Sequence, residues 1–348
     1  MADRQDTVTG PAPSVPPAPV AAPRLAWAAA AYVALLFVFW LVARFFHLKA
    51  LEEGQHGPSL VLSFALLFAP YSFFGFGLAE WLRRRLTNLP ARLSASLLLA
   101  LPYYVLTIPR GEFTWPMALV LTAIPVLVTA ALHFSQRPGD WVDLTVLACV
   151  GLIVDLGLLG HAWPFAIRGV APWPAGLSGF PKLMLVNVAL YGYLVIKPLD
   201  GIGYDLRPKL ADLKIGLREF MFYAPLVLPL GFVLGFLHFH RQWPQPFMLP
   251  AAWIFTFVFI ALPEELYFRG LVQNLLERRW EHGTSLLATS VLFGLSHFNK
   301  GAAFNWKYVL LATIAGIFYG RAWRAQRRLF ASSVTHASVD AVWSLWFR

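Results

Sequence analysis

Long apolar stretches alternate with short polar ones along the whole chain, and most of the apolar stretches have the length a helix needs to cross about 30 Å of hydrocarbon. They fall at about 25–46, 58–80, 93–109, 115–134, 142–160, 181–197, 220–240, 248–276, 285–299, 306–323 and 330–347. This pattern predicts an all-α polytopic membrane protein with about eleven transmembrane helices. The range is nine to eleven, because Pro102 and Pro109 bound the third stretch, Pro125 interrupts the fourth and the sixth is only just long enough.

Two segments break the pattern. Residues 1–24 are rich in Pro and Ala without periodicity and read as a disordered cytoplasmic tail. The first apolar stretch is too long for a signal peptide and lacks a convincing cleavage site. Residues 205–219 carry Leu206, Leu210, Leu213 and Leu217 at helical spacing with Arg207, Lys209, Lys214 and Arg218 between them, as an interfacial amphipathic helix does. That segment separates an N-terminal membrane block of about six helices, 25–200, from a C-terminal core, 205–348.

Composition agrees: 58% of residues are hydrophobic and 13% charged, against about 25% charged in a soluble domain. Cys149 is the single cysteine, which excludes an intrachain disulfide and a cysteine-cluster metal site. The net charge of +10 does not mark a nucleic-acid binder, because the basic residues are scattered among short loops and no nucleic-acid-binding motif occurs. Membrane topology accounts for them. With the N-terminus in the cytoplasm, 18 of the 28 Lys and Arg fall inside and 8 outside, Arg44 and Arg269 lying within spans. The C-terminus is then outside. The Ala- and Trp-rich composition points to a bacterial inner membrane.

Chemistry concentrates near the C-terminus, in Pro-Glu-Glu-Leu-Tyr-Phe-Arg at 263–269, Phe-Gly-Leu-Ser-His at 293–297 and His-Ala-Ser-Val-Asp at 336–340. Ionisable groups at bilayer depth are costly unless paired, so a cluster of them marks a candidate functional site. A helical repeat puts Glu265 and Arg269 one turn apart, able to form an ion pair. Glu264 points about 100° away and has no basic partner in its own helix. It must find one elsewhere or stay protonated, and it is the carboxylate free to take a proton from water. His297 lies in an apolar helix after Phe293, and His336 has Asp340 one turn later on the same face. A single membrane histidine is more often a packing residue, but depth raises the odds here. At 1.5 Å per residue, Glu264 and His297 lie about 20 Å from the cytoplasmic ends of their helices, and His336 and Asp340 about 12 and 18 Å. Groups from three spans thus reach similar heights, as a shared water-filled cavity requires.

At these residues the chain resembles the CPBP membrane endopeptidases, which include the type II C-a-a-X prenyl endopeptidases and the bacteriocin-processing and immunity-associated proteins. That family's pattern is E-E-x-x-x-R, F-x-x-x-H, then H-x-x-x-N or a similar polar residue, and all three occur here in order. The resemblance covers about residues 205–348; the first six spans resemble no named family. It implies that Glu264 is the general base, that His297 helps hold the attacking water, and that His336 and Asp340 stabilise the oxyanion or complete a metal site. Glu265 and Arg269 support the geometry. Asp340 departs from the pattern: an Asn amide donates to an oxyanion, whereas an ionised Asp only accepts. Asp340 must be protonated, orient His336, or serve a metal.

Two mechanisms are open at this point. Glu264, His297 and His336 would form a Zn²⁺ or other divalent metal site with an open position for water, though no H-E-x-x-H supports one. A metal-free glutamate mechanism uses the same residues. Either gives an intramembrane endopeptidase acting on a membrane-anchored protein or peptide, prenylated or not. Two other classes compete: a catalytically silent scaffold or bacteriocin-immunity-like protein that keeps the polar cluster for packing, and a proton-coupled transporter, disfavoured because the first six spans do not repeat the motifs.

Overall fold

The computed structural model describes residues 23–45, 57–135, 137–160, 179–239, 248–302 and 304–347. Residues 1–22 of the expected tail lie outside them. Among the described residues the chain is helical throughout, without a β-strand beyond an isolated bridge between Phe239 and Phe347.

Among the described residues twelve helical segments follow one another: α1 (Pro23–Phe45), α2 (Gly57–Phe74), α3 (Leu78–Arg85), α4 (Leu89–Thr107, with a 3₁₀ turn at Leu98–Ala100), α5 (Trp115–Phe134), α6 (Trp141–Asp155), α7 (Gly179–Tyr191, extended by a π turn at Gly192–Ile196), α8 (Leu210–Val233), α9 (Met248–Leu276), α10 (His282–Leu295), α11 (Trp306–Gln326) and α12 (Leu329–Trp346). Of these, α2, α4, α5, α8 and α9 are long and apolar enough to cross a membrane, and Ala26–Phe37, Pro181–Ile196 and His282–Leu295 are shorter apolar helices. The expected eleven spans are therefore not reached by length and composition. α6 ends at Asp155, short of the expected 160. α11 carries Lys307, Arg321 and Arg324 within its length.

The amphipathic segment does not form a separate element. Its helix begins at Leu210 and runs into the following apolar stretch as α8, with Asp212 and Glu219 fully buried and Leu210, Leu213 and Leu217 exposed. The polarity is inverted relative to a water-soluble helix because these acids are paired, Asp212 with the buried Arg328 and Glu219 with the half-exposed Arg218 and Arg321. Arg328 donates from Nε to Asp212 at 2.8 Å, and Arg321 Nε lies 3.0 Å from Glu219. Leucines facing outward suit a hydrocarbon solvent.

α12 lies at the centre of the C-terminal core, packed by α8, α9 and α11. Its sequence explains the position: Ala331, Ser332, Ser333, Ala337, Ser338 and Ala341 are small and buried, so neighbouring backbones approach closely. Thr335 Oγ1 bonds to the Gly216 carbonyl of α8 at 3.0 Å, and a Cβ at Gly216 would collide with Val334. The N-terminal block is fastened to this core through α9. Tyr71 Oη donates to Val258 O at 2.7 Å, Tyr267 Oη to Leu147 O at 2.8 Å, and Phe64 and Phe68 pack on Phe259.

Candidate active site

α9 carries the first motif on an unusual backbone. Two π-helical stretches, Phe257–Ala261 and Leu266–Gln273, flank a four-residue α-helical turn, Leu262–Glu265, that contains both glutamates. Pro263 sits in that turn and removes one backbone donor, and π turns inside α-helices concentrate at functional sites. The widened backbone still leaves Glu265 and Arg269 one turn apart. Their ion pair forms at 3.1 Å with both side chains fully buried, as the spacing predicted. Arg269 also donates from Nη2 to the Gly316 carbonyl of α11 at 3.0 Å and lies 4.7 Å from the centre of the Phe293 ring. It ties α9, α10 and α11 together.

Glu265 has a second partner. His336 Nδ1 lies 2.9 Å from the same Oε1 that Arg269 contacts. A carboxylate facing an imidazole N–H fixes the tautomer, and the other ring nitrogen, Nε2, is left to face the site. Nε2 is 3.5 Å from Asp340 Oδ2 and 3.9 Å from Glu264 Oε2. The imidazole is stacked on Tyr319, with ring centres 4.5 Å apart and planes 16° apart, and meets the Phe293 ring edge-on at 5.6 Å. One histidine is thus held in a single orientation by a carboxylate and two aromatic rings, with two further carboxylates beside its free nitrogen. Asp340 stands where it orients His336, one of the three roles open to it from sequence.

His297 is not within a helix. α10 ends at Leu295, and His297 occupies the turn that follows, its amide bonded to Gly294 O at 2.9 Å. The F-x-x-x-H spacing has a local cause: His297 Nδ1 lies 2.9 Å from the Phe293 carbonyl four residues back. A carbonyl only accepts, so Nδ1 carries the proton and Nε2 presents a lone pair. The ring rests between Phe293 and Tyr308, 4.9 and 4.6 Å from their centres.

His297, His336 and Asp340 line one cavity of about 70 Å³ between α8, α10, α11 and α12, walled by Phe220, Tyr223, Phe236 and other apolar side chains. That volume holds several waters. Glu264 is not among its lining residues. Its Oε1 accepts a hydrogen bond from Lys182 Nζ of α7 at 2.6 Å, while Oε2 points toward His336. The structure therefore brings Glu264, Glu265, Arg269, His336 and Asp340 together and sets His297 against the same cavity through Phe293. The basic partner that Glu264 lacks in its own helix comes from the N-terminal block.

The proposed metal set does not fit this arrangement. Among the described residues no three His, Cys, Asp or Glu side chains are grouped to hold an ion. One of the two Glu264 oxygens is already taken by the Lys182 ammonium.

Sequence reasoning missed three features of the site. Glu265 was expected to serve Arg269 alone but also holds His336. Tyr319 and Tyr308, which stack on the two imidazoles, stood out in no motif. Lys182, at the outer end of the stretch 181–197, belongs to no motif. Its only signal was position, a lysine at the mouth of an apolar segment.

Residues 246–342 match the model of a family described as type II CAAX prenyl endopeptidase Rce1-like. No curated protein and no solved structure matches the chain. The matched range runs from the start of α9 to near the end of α12, and so contains all three motifs and every candidate site residue except Lys182. The match over residues 246–342 supports a likeness to the CPBP/CAAX protease family, and the succession of apolar helices suits a multi-pass membrane protein.

Proposed function

We propose that the protein is an intramembrane endopeptidase that hydrolyses a peptide bond of a membrane-anchored protein or peptide, using water activated by Glu264 and the two histidines. The observation that carries this reading is the placement of His336: Nδ1 held by Glu265 at 2.9 Å, Nε2 facing Glu264 at 3.9 Å across a gap too long for a direct bond. A water bonded to both atoms fits that separation. Glu264 takes its proton, the oxygen attacks the carbonyl carbon, and the proton passes to the leaving amine as the tetrahedral intermediate collapses. His297, with its Nε2 lone pair facing the cavity, accepts a hydrogen bond from the water and orients it. With Glu265 on Nδ1 and Asp340 and Glu264 beside Nε2, His336 acts in its doubly protonated form, and the Nε2–H donates to the developing oxyanion.

Apolar walls exclude bulk water and strengthen each of these interactions. They also suit a substrate that arrives from the lipid. A membrane-anchored C-terminal signal or a secreted peptide is at least as good a candidate as a prenylated protein.

The test is to incubate purified protein in detergent with membrane-anchored peptide libraries, prenylated and unprenylated, and to read cleavage by mass spectrometry. A defined scissile bond, cut by wild type and not by Glu264→Gln, is the expected result. No cleavage of any member by folded protein would favour the silent scaffold.

A further inference from the structure

We propose that Lys182, supplied by the N-terminal membrane block, is a positioning residue of the active site: it holds Glu264 in place and provides its counter-charge. The inference rests on the assignment of Glu264 as the base. It goes beyond that assignment because Lys182 lies in α7, outside residues 246–342, in a part of the chain with no family resemblance.

Four observations carry it. Lys182 Nζ donates to Glu264 Oε1 at 2.6 Å, and among the described residues no other side chain is hydrogen-bonded to Glu264. The pair is largely buried, Glu264 at 12% and Lys182 at 24% side-chain exposure. A carboxylate that deep in apolar surroundings, with Glu265 beside it in sequence and Asp340 across His336, needs a nearby cation to remain charged. Lys182 also stands in the first turn of α7, where the helix dipole disfavours a cation, so helix stability does not account for it. Finally, α7 is not free to swing. Leu183, Met184, Leu185, Val188 and Leu190 are buried, Asn187 bonds to Leu67 O at 2.7 Å, and α9 is independently fastened to α2 and α6 through Tyr71 and Tyr267.

The consequence is directional. With Oε1 bonded to Lys182, the carboxylate plane is fixed and Oε2 is the oxygen turned toward His336 Nε2. Only that oxygen can take the proton of a water bridging the two residues. The matched range 246–342 then draws one residue of its site from outside itself.

The experiment compares full-length wild type, Lys182→Met, Lys182→Gln, Lys182→Arg and Glu264→Gln. The kinetic probe is whichever membrane-anchored library peptide wild type cleaves. Lys182→Met should lower kcat by about 100-fold, within the range assigned to a positioned base, with KM changed by less than about threefold. Lys182→Arg should recover most of the rate. Lys182→Gln, which keeps an N–H donor without the charge, replaces Met if Met disrupts packing. Wild-type kcat in the neutral variants, loss through KM alone, failure of Arg to rescue, or a rate increase would each overturn the proposal. A second readout needs no activity: labelling with dicyclohexylcarbodiimide, which reacts with uncharged carboxyls in apolar surroundings, located by peptide mapping. Glu264 should be labelled in Lys182→Met and spared in wild type. If wild type cleaves nothing, the hydrolase reading fails, and equal labelling of Glu264 in the two proteins separately rejects the pair.

Discussion

Glu265 Oε1 lies 2.9 Å from His336 Nδ1 and 3.1 Å from Arg269 Nη1, so one buried carboxylate oxygen serves an imidazole and a guanidinium from two different helices. Removing that carboxylate leaves a charged Arg269 buried without its counter-ion. Glu265→Ala should therefore destabilise the folded protein by about 3–5 kcal/mol, the cost of breaking a buried pair from one side. Thermal unfolding in detergent checks this, with Glu264→Gln, which keeps an acceptor for the partly exposed Lys182, as the comparison that loses less. Equal melting of the two variants would contradict the division between a supporting and a working glutamate.

Both histidines should be needed for the rate, for different reasons. His336→Ala removes the donor to the oxyanion and should cost about 10²–10³ in kcat. His297→Ala removes the acceptor that orients water and should cost about 10² or more. Steady-state kinetics on a cleaved library peptide measures both. A variant of either histidine with wild-type kcat would remove that residue from the mechanism.

Chelation separates the two mechanisms left open by sequence. Because Lys182 already neutralises Glu264 and no three ligating side chains are grouped among the described residues, cleavage should survive 1,10-phenanthroline or EDTA within about twofold, far less than the loss expected from removing a Lewis acid. Loss of cleavage restored by added Zn²⁺ would show that Lys182 and Glu264 part in the working enzyme.

At the end of the core opposite the site, Asp205 gives a pH-dependent prediction. Burial pushes its carboxyl up, but hydrogen bonds from Arg207 and Arg328 outweigh burial and hold it down at about 2. A depressed carboxyl stabilises the fold above its unfolded value, about 4, and loses that contribution as pH falls toward 2. The melting-temperature gap between wild type and Asp205→Asn should be constant above about pH 5 and close as pH drops to 2. A gap that persists at pH 2 would mean that Asp205 acts through packing.

Close approach of α10 and α11 is built on Gly294, where an added Cβ would meet Thr313 Oγ1 at 2.0 Å and the Val309 carbonyl at 2.6 Å. Gly294→Val should push the helices apart, destabilise by about 1–3 kcal/mol and displace the turn that carries His297. Lowered melting together with lowered kcat is expected. An unchanged melting curve would place the helices farther apart than described.

Much of the site was legible because its parts are local. The Glu265–Arg269 pair follows from helical spacing, and the His336–Asp340 contact from one turn of α12. The remainder depends on relations that spacing does not encode. His297 was placed in a helix because its neighbours are apolar, yet α10 ends two residues earlier and the ring is held by the Phe293 carbonyl. The amphipathic pattern of 205–219 was visible, but a membrane core inverts which face is buried, and Asp212 and Glu219 turn inward toward arginines from distant segments. Lys182 meets Glu264 across 82 residues of sequence, a contact that only the packing of α7 on α9 creates. Span count suffered for a related reason: helices such as α11 and α12 are sheltered by protein and tolerate polar residues that hydropathy penalises.

The central claim is that Glu264 activates the water that cleaves the peptide bond. Its most direct test is kcat for purified, folded Glu264→Gln against wild type on the same membrane-anchored peptide, with melting temperature recorded in parallel. The account predicts a folded variant whose melting falls less than that of Glu265→Ala and a kcat lower by at least about 10²–10⁴. Cleavage at the wild-type rate by the folded variant would contradict it.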